Sequence, residues 1–350
     1  MIRTKMEPQN LIQTEHKEII IKQKGKAKMI LAYHTYGNGT CFGGIRLLPT
    51  NAGEKAIKDA LRLSEAMTYK LALINSPYGG CKAVVFEPVE GKSEEFLQDI
   101  GTLIEEENGR FISAIDFGFE PDDAKIIRET TEYIFAIKDS EFGQSGITTA
   151  YGVLEGIKAS LKKVYNSDII KGRSFAIQGL GSVGSILAEE LIKSGGVVYV
   201  SDLDENKLVK FGKRATVVDP SEILYLSVDV FVPCGPAYII NKESIPKLNC
   251  KIIAGGANCQ LEDEVADDQK LYEKGILIAP DYVINAGGVM QGIEELNRGN
   301  LQNVIQRLNL IADNLSEIYE ISKEKEKGTY AVAKEIALSK IYVRKRGPKD

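Results

Sequence analysis

The chain has only two histidines and five cysteines among its 350 residues. His16 and His34 stand apart in the sequence, which argues against a histidine metal cluster or a Ser-His-Asp triad. None of the cysteines forms a C-x-x-C pair, and their odd number is typical of a reducing compartment. The sequence therefore predicts a cytoplasmic protein that holds no metal ion.

A basic excess and a long apolar run are also absent. The formal net charge is −5, whereas a surface that binds nucleic acid needs an excess of lysine and arginine. The one basic stretch, "YVRKRGPKD", is more typical of a solvated tail. No run approaches the roughly 18 apolar residues of a membrane span, and the polar first residues lack a signal-peptide core. We therefore expect neither nucleic acid nor a membrane as a partner.

The length of the chain favours two domains, because 350 residues is long for one hydrophobic core. The segment "KDSEFGQSGIT" breaks all periodicity, so we place a hinge at residues 139–147. Before it, strand-like and helix-like patterns alternate over residues 1–138. After it, continuous apolar runs such as "SFAIQG" and "VDVFVPCG" alternate with helical stretches over residues 148–326. This pattern predicts an α/β fold with a parallel sheet covered on both faces.

Hydrophobic periodicity assigns many of the individual elements. In the first half, strands are predicted at residues 18–22, 28–36, 82–88 and 110–115. Helices are predicted at residues 54–73, from about residue 93, and at residues 121–134, where Pro121 takes the first position. In the second half, amphipathic helices are predicted at residues 148–165 and, as one long helix, from Leu301 to Leu315.

The segment "FAIQGLGSVG" contains the pattern G-x-G-x-x-G as Gly179, Gly181 and Gly184. The pattern alone is weak, but here an apolar strand precedes it and a helix follows it, as in a dinucleotide-binding βαβ unit. The next strand ends at Asp202, where a carboxylate accepts hydrogen bonds from the adenosine ribose and repels a 2′-phosphate. NAD is therefore the expected cofactor, and a turn with an incidental aspartate is the alternative.

Two lysines, Lys70 and Lys82, occur in apolar surroundings. Because the charge of lysine is costly to bury, two surface lysines would be the ordinary interpretation. Lys82, however, leads into the apolar run "AVVF" and follows a Gly-Gly turn that lets a substrate approach the backbone. These features favour an active site.

Together with "FGGIRLLP" and "ALRLSEAMTYK", the segment "SPYGGCKAVV" resembles the superfamily of glutamate, leucine, phenylalanine and valine dehydrogenases, especially its leucine dehydrogenase-like members. The resemblance continues through "NGRFISAID", "TTAYGV", "QGLGSVG", "IIAGGAN" and "PDYVINAGGV". It implies an N-terminal α/β domain for substrate binding and oligomerisation over residues 1–138 and a Rossmann-type NAD-binding domain over residues 148–326. Residues 327–350 would return to the first domain, through which the chain would form a homo-oligomer of two or more copies.

The resemblance also implies roles for individual residues. Lys82 would activate water or hold the carbonyl oxygen, and Asp116 would exchange a proton with the substrate nitrogen. Lys70 would bind the α-carboxylate of the substrate. Further positions would form the substrate site: Phe42, Gly43, Gly44, Asn285 and Gly292. Others would contact the cofactor together with Asp202 and the three glycines: Thr149, Ser182, Val183, Cys234 and Asn258.

These roles imply reversible NAD-dependent oxidative deamination of an amino acid to the 2-oxo acid and ammonia. Glutamate-specific relatives carry a lysine where this chain has Phe42, so we expect an apolar substrate, branched-chain and leucine-like before aromatic. Gly292 would enlarge the far wall of the site, whereas Phe42 takes space back. Ile115, Cys81 and Cys259 depart from the family pattern and leave the substrate open. An aromatic amino-acid dehydrogenase of the phenylalanine or tryptophan type is the main alternative, and a catalytically silent NAD-binding protein is another.

Overall fold

The computed structural model describes residues 2–6, 16–135 and 141–346. The chain folds into two compact units, Met1–Gln144 with Glu295–Gly299, and Ser145–Glu294 with Asn300–Asp350. The division after Gln144 falls inside the predicted hinge, of which residues 139 and 140 lie outside the described part of the chain. The prediction of an α/β fold with two domains is confirmed, since each unit is built on its own sheet.

A mixed sheet forms the centre of the first unit. Its strands are β1 (Ile2–Met6), β2 (Glu18–Lys24), β3 (Ala27–Tyr33), β4 (Cys41–Pro49), β5 (Gly79–Glu87), β6 (Phe111–Ile115) and β7 (Ile134–Phe135). They lie side by side in the order β1-β2-β3-β5-β4-β6-β7. The ladder is antiparallel from β1 to β5 and parallel from β5 to β7. β4 and β5 therefore lie side by side within the sheet, with paired strands on both sides.

Helices cover both faces of this sheet: α1 (Gly53–Leu73), α2 (Glu94–Glu105) and α3 (Pro121–Arg128). α1 packs on the face that carries Leu48 and Val84, whereas α2 packs on the opposite face, against Ile45. α2 begins as predicted, because the Oγ of Ser93 accepts a hydrogen bond from the backbone N–H of Phe96. The two faces of the sheet are thus covered by different helices, one by α1 and the other by α2.

The predicted helix over residues 121–134 is wrong in its second half. α3 ends at Arg128, whose Nη1 donates to the carbonyl oxygens of Glu132 and Ile134. Ile134 then begins β7, which pairs in parallel with β6. Ile134 fits the helical period of the sequence, but it is buried in the strand at the edge of the sheet. Tertiary contacts decide the end of this helix.

β4 is absent from the predicted strands. Its adjacent glycines, Gly43 and Gly44, are disfavoured in strands because they offer no side chain for packing. The strand nevertheless forms, since it is hydrogen-bonded on both sides, to β5 and to β6.

The second unit contains the predicted parallel sheet. Its strands, in spatial order, are β10 (Thr216–Val217), β9 (Val197–Ser201), β8 (Ser174–Gln178), β11 (Val230–Pro233), β12 (Ile252–Ile253) and β13 (Leu277–Ile278). Every neighbouring pair is parallel. The order reverses at β8, which lies between β9 and β11 and is therefore the switch point where open α/β sheets bind their ligands.

Helices flank this sheet and complete the chain. They are α4 (Ser145–Tyr165), α5 (Gly184–Lys193), α6 (Glu205–Val209), α7 (Ala266–Lys274), α8 (Asp281–Ile284), α9 (Gly287–Leu296), α10 (Leu301–Arg307), α11 (Asn309–Lys325) and α12 (Thr329–Arg346). The single helix predicted from Leu301 is instead two helices, α10 and α11. They meet at Leu308, whose N–H bonds the carbonyl oxygens of Val304 and Ile305 at 3.1 and 3.2 Å and so tightens the turn.

The described part of the C-terminal segment lies with the second unit, whereas the family resemblance implies that residues 327–350 return to the first. α12 packs against α7 and α11. Its first turn is held by Asp268 of α7, which accepts a hydrogen bond from the N–H of Ala331 over 3.0 Å, and by the Thr329 hydroxyl, which donates to Ile278 of β13. Among the described residues, no helix has the length and apolar character required to cross a membrane.

Candidate active site

Lys82 and Asp116 form an ion pair in the first unit. Lys82 lies on β5, and Asp116 directly follows β6. The backbone N–H of Asp116 donates to the carbonyl oxygen of Ile45 on the intervening strand β4, which fixes the start of the loop. Nζ of the buried Lys82 lies 2.6 Å from Oδ2 of Asp116. The structure thus brings together the two residues that the sequence predicts to be catalytic.

The glycines of β4 make room for this pair. A Cβ at Gly44 would lie 2.8 Å from Nζ of Lys82 and 3.3 Å from Cβ of Asp116. At Gly43, a Cβ would lie 1.9 Å from the carbonyl oxygen of Cys81 on β5. Any side chain at Gly44 would therefore push against the charged groups, and any side chain at Gly43 would part the strands.

Sequence reasoning missed a third charged residue of this cluster, Arg46. Its Nε lies 3.2 Å from Oδ2 of Asp116, and its Nη1 lies 3.4 Å from Oδ2 of Asp59 on α1. The side chain of Arg46 is only 12% exposed and that of Asp59 only 6%. The signal available in the sequence is an arginine inside an apolar strand, two residues after Gly44 and hence on the same face of β4.

The two cations control the charge of Asp116. Burial alone would raise the pKa of its carboxyl, because the ionised form is less well solvated inside the protein. The Lys82 ammonium and the Arg46 guanidinium outweigh burial and hold the pKa of Asp116 well below its usual range. The side chain of Asp116 nevertheless stays 20% exposed. An ionised and accessible carboxylate of this kind can accept a hydrogen bond from an ammonium group.

Lys70 and Phe42 lie on the same side of the sheet as the ion pair. Lys70 belongs to the last turn of α1, which covers the face of β4 and β5 that carries Leu48 and Val84. Because side chains alternate between the two faces of a strand, Phe42 and Lys82 lie on that same face. Lys70 is 7% exposed and Phe42 is 3% exposed. The ring of Phe42 has its centroid 6.4 Å from that of Tyr78. Both predicted substrate-binding residues are thus buried near the cluster, and their contact with substrate stays a prediction.

Two of the departures from the family pattern are packing residues. Burial raises the pKa of the Cys81 thiol, and the neighbouring Cys41 thiol raises it further, which disfavours a reactive thiolate. Ile115 packs against the core between the sheet and α2. Cys259 of the second unit is buried in the left-handed region of the backbone, with φ of 52°, where its carbonyl oxygen accepts from the N–H of Tyr238.

The glycine loop of the second unit follows β8 at the switch point. Gly179 has φ of 91°, and a Cβ there would lie 2.8 Å from the carbonyl oxygen of Cys234. A Cβ at Gly184 would lie 2.0 Å from the carbonyl oxygen of Gly179, so α5 packs tightly against the loop. At Gly181, by contrast, a Cβ would meet open space. The first and third glycines of the loop are therefore packed against protein, whereas the middle glycine faces open space. A loop whose backbone binds a pyrophosphate requires this arrangement.

The other predicted cofactor residues border this loop. Ser182 and Val183 lie within it, the first beside Gly146 and the second beside Gly256. Cys234 directly follows β11, and its carbonyl oxygen is the group that approaches Gly179. These contacts gather the loop, the start of α4 and the ends of two strands at one edge of the sheet.

Asp202 lies at the end of β9, beside the loop. Its carboxylate accepts hydrogen bonds from the N–H of Leu180 over 2.6 Å and from the N–H of Asp204 over 2.9 Å. Burial would raise the pKa of Asp202, but these two N–H groups and the Lys207 ammonium lower it, so the group is ionised at neutral pH. Lys207 is a further residue that sequence reasoning missed, with Nζ 3.6 Å from Oδ1 of Asp202.

A pair of asparagines lies near the ends of β12 and α8. Nδ2 of Asn285 donates to Oδ1 of Asn258 over 2.8 Å and to the carbonyl oxygen of Gly256 over 3.1 Å. Oδ1 of Asn285 is buried and has no hydrogen-bond partner among the described residues. A buried acceptor without a partner is costly, and a donor group of a bound ligand would satisfy it.

Thr149 and Gly292 complete the predicted set. The hydroxyl of Thr149 donates to the carbonyl oxygen of Ser145 in α4, and a Cβ at Gly288 would lie 2.7 Å from that hydroxyl. Gly292 is buried in α9. The predicted roles of these residues toward cofactor and substrate stay predictions.

Comparison with known proteins places both units in one family. Residues 8–133 match the family model described as "Glu/Leu/Phe/Val dehydrogenase, dimerisation domain", and residues 200–345 match "Glutamate/Leucine/Phenylalanine/Valine dehydrogenase". L-tryptophan dehydrogenase of Nostoc punctiforme is 39% identical over 335 residues, which are 95% of this chain and 95% of that protein. Leucine dehydrogenase of Geobacillus stearothermophilus is 38% identical over 322 residues, 90% of this chain and 87% of the relative.

A solved structure agrees with these matches. The crystal structure of L-tryptophan dehydrogenase from Nostoc punctiforme superposes with a TM-score of 0.78 at 38% identity, covering 95% of this chain and 97% of the other. The fold of this chain is therefore that of a two-domain, nicotinamide-dependent amino-acid dehydrogenase. The resemblance inferred from the sequence motifs is confirmed: the chain is an amino-acid dehydrogenase and belongs to the glutamate/leucine/phenylalanine/valine dehydrogenase family.

Proposed function

We propose that this enzyme catalyses the reversible, NAD-dependent oxidative deamination of an apolar L-amino acid to the 2-oxo acid and ammonia. The observation that carries the proposal is the ion pair of Lys82 and Asp116, with 2.6 Å between Nζ and Oδ2, beside Gly44, where any side chain would crowd the pair. A buried cation and an accessible carboxylate at this distance supply one hydrogen-bond donor and one acceptor to a reacting amine.

The chain's own residues account for binding and proton transfer. Lys70 pairs with the α-carboxylate of the amino acid, and Asp116 accepts a proton from the α-ammonium group. The glycine loop after β8 would hold NAD, which would supply the acceptor for the hydride of Cα and so allow the substrate amine to become an iminium group. Lys82 then orients the water that attacks the iminium carbon and loses its two protons to solvent, while Asp116 returns its proton to the nitrogen, which departs as ammonia. The carbonyl oxygen of the 2-oxo acid comes from that water.

Asp202 supports NAD rather than NADP as the cofactor. The loop of Gly179, Gly181 and Gly184 would hold the pyrophosphate at the N-terminus of α5, and the Asp202 carboxylate would accept hydrogen bonds from the ribose hydroxyls. Two backbone N–H groups keep that carboxylate ionised and fixed, so it would repel a 2′-phosphate. Lys207 is a nearby cation that favours NADP, but it lies against Asp202, which neutralises it.

Phe42 supports an apolar substrate. It is 3% exposed and its ring carries no charge, so the distal carboxylate of glutamate would be left without a partner at this position. We rank a branched-chain, leucine-like amino acid first by a narrow margin, on the sequence motifs shared with leucine dehydrogenases, one of which is 38% identical over 90% of this chain. The aromatic alternative is supported by the neighbouring ring of Tyr78 and by the similarity to a tryptophan dehydrogenase.

The first unit is also the part through which we propose that the chain forms a homo-oligomer. The family model that matches residues 8–133 is described as a dimerisation domain. Light scattering on the purified protein would give a mass of at least twice 38.5 kDa. A monomeric mass at micromolar concentration would contradict this part of the proposal.

A substrate panel tests the proposed reaction. The purified enzyme is mixed with NAD and each of the twenty amino acids in turn, and NADH is followed by absorbance while ammonia is measured separately. We expect equal amounts of NADH and ammonia with leucine, valine or isoleucine, or with phenylalanine or tryptophan, and far less with glutamate. NADH formation that is fastest with glutamate would contradict the substrate assignment. NADH binding without turnover of any amino acid would favour a silent NAD-binding protein.

A further inference from the structure

We infer that Arg46 is a positioning residue for the deamination reaction, acting through Asp116. The inference rests on the role proposed for Asp116 above and assigns a function to a side chain outside the predicted catalytic set. Arg46 bridges two acids that come from different elements, Asp116 after β6 and Asp59 on α1. It therefore ties the loop that carries the proton-transfer group to the helix that carries Lys70.

The geometry favours a clamp on one carboxylate oxygen. Nε of Arg46 lies 3.2 Å from Oδ2 of Asp116, and Nζ of Lys82 lies 2.6 Å from that same oxygen. The two cations approach it from neighbouring strands, β4 and β5. With two donors on one oxygen, the carboxylate is restrained, and its orientation toward the substrate nitrogen is set before the substrate arrives.

Asp59 holds Arg46 in place from the opposite end. The Asp59 side chain is 6% exposed, and its Oδ2 lies 3.4 Å from Nη1 of the Arg46 guanidinium. A planar guanidinium can contact two acids at once in a fixed direction, whereas the ammonium of a lysine is a point charge on a flexible stem. The arrangement Asp59–Arg46–Asp116–Lys82 thus alternates in charge and spans from the helix to the catalytic lysine.

A purely structural ion bridge is the competing explanation, and the same unit contains a suitable comparison. Arg110 also bridges two acids: its Nη1 lies 2.6 Å from Oε2 of Glu18, and it contacts Glu107 as well. Neither acid belongs to the proposed site. Replacing Arg110 should weaken the fold in the same way as replacing Arg46 while leaving the reaction alone.

A double-mutant cycle separates the two explanations. Wild-type enzyme, R46Q, D116N and the double variant are compared in kcat and KM for the amino acid that wild type oxidises best, with NADH binding followed by fluorescence. We expect R46Q to lower kcat by about 10-fold or more, the scale of a misplaced reacting group, with KM and NADH affinity near those of wild type. In the D116N background the same change should cost less than about twofold, because the residue through which Arg46 acts is already disabled.

Two further variants keep the test decisive if R46Q folds poorly. D59N removes the anchor of Arg46 without touching the site, and it should lower kcat several-fold, again with little effect in the D116N background. R110Q should lower the unfolding temperature but keep kcat within about twofold of wild type.

The outcomes distinguish this inference from the proposed function. If the losses of R46Q and D116N multiply in the double variant, or if R110Q lowers kcat as much as R46Q does, Arg46 is structural and the inference is overturned. If D116N alone keeps the turnover of wild type, the proposed role of Asp116 is wrong, and the result is visible without the Arg46 variants.

Discussion

Nζ of Lys82 on β5 and Oδ2 of Asp116, directly after β6, lie 2.6 Å apart, and Gly44 of the intervening strand β4 lies beside both side chains. The closeness of the pair therefore depends on Gly44 as much as on the charged residues. The nearby ammonium also lowers the pKa of the Asp116 carboxyl, which keeps it ionised.

Asp116 should make the stability of the folded chain depend on pH. Its pKa in the fold is held below the value of about 3.9 that an aspartate has in an unfolded chain. The stabilisation it brings is therefore complete above about pH 5 and is lost as the pH falls below about 4, because the unfolded chain takes up the proton first. D116N has no such group, so the difference in unfolding free energy between wild type and D116N should shrink from pH 6 to about pH 3.5.

Urea unfolding at several pH values measures this difference. D122N provides a control, since Asp122 is 72% exposed and its pair with Lys125 is a surface ion pair that contributes little. A difference between wild type and D116N that stays constant over the whole pH range would mean that Asp116 titrates normally in the folded protein.

Cofactor choice should depend on Asp202. We expect kcat/KM with NAD to exceed that with NADP by well over tenfold, more than about 1.4 kcal/mol. D202N removes the charge that repels the 2′-phosphate and should bring the two values closer together. K207A is the matched change on the opposing charge, and it should lower the remaining activity with NADP. Steady-state rates with the two cofactors decide the matter, and equal efficiencies in wild type would show that Asp202 does not face the ribose.

The side chain at Phe42 should decide whether glutamate is accepted. F42K introduces the cation that glutamate-specific relatives carry at this position, so the ratio of activity with glutamate to activity with leucine should rise by about tenfold or more. F42L is the control, because it removes the ring without adding a charge and should leave glutamate a poor substrate. A ratio that stays at the wild-type value in F42K would place the distal end of the substrate elsewhere.

Much of the fold can be predicted from the sequence, because apolar runs and helical periods report directly on burial. The parallel sheet of the second unit, the glycine loop after β8 and the long helix α1 all follow from such local patterns. β4 cannot be predicted in this way, since its Gly43-Gly44 pair is required by close approach of Cys81 and Lys82, which come from another strand. The end of α3 at Arg128 likewise depends on a tertiary contact, the pairing of β7 with β6.

In the active site, too, some residues can be identified from local sequence patterns, whereas others depend on contacts that only the fold creates. Lys82 and Asp116 could be identified because each belongs to a family motif, and the structure places them in contact. Arg46 and Lys207 could not, because their relevance lies in a distance to an acid, Asp116 or Asp202, that only the fold shows. His16 and His34 illustrate the point: the sequence sets them apart, yet their rings lie 4.8 Å from each other in the fold.

Lys82 is the residue on which the assignment of the active site depends most directly, and one comparison tests its role. Wild type and K82A are assayed for NADH formation with the best amino acid substrate, and for NADH binding by fluorescence under the same conditions. We expect K82A to lose roughly 10²-fold or more in turnover, the scale of lost acid–base assistance, while NADH binding stays near that of wild type. A K82A enzyme that keeps most of its turnover would contradict the assignment of the active site.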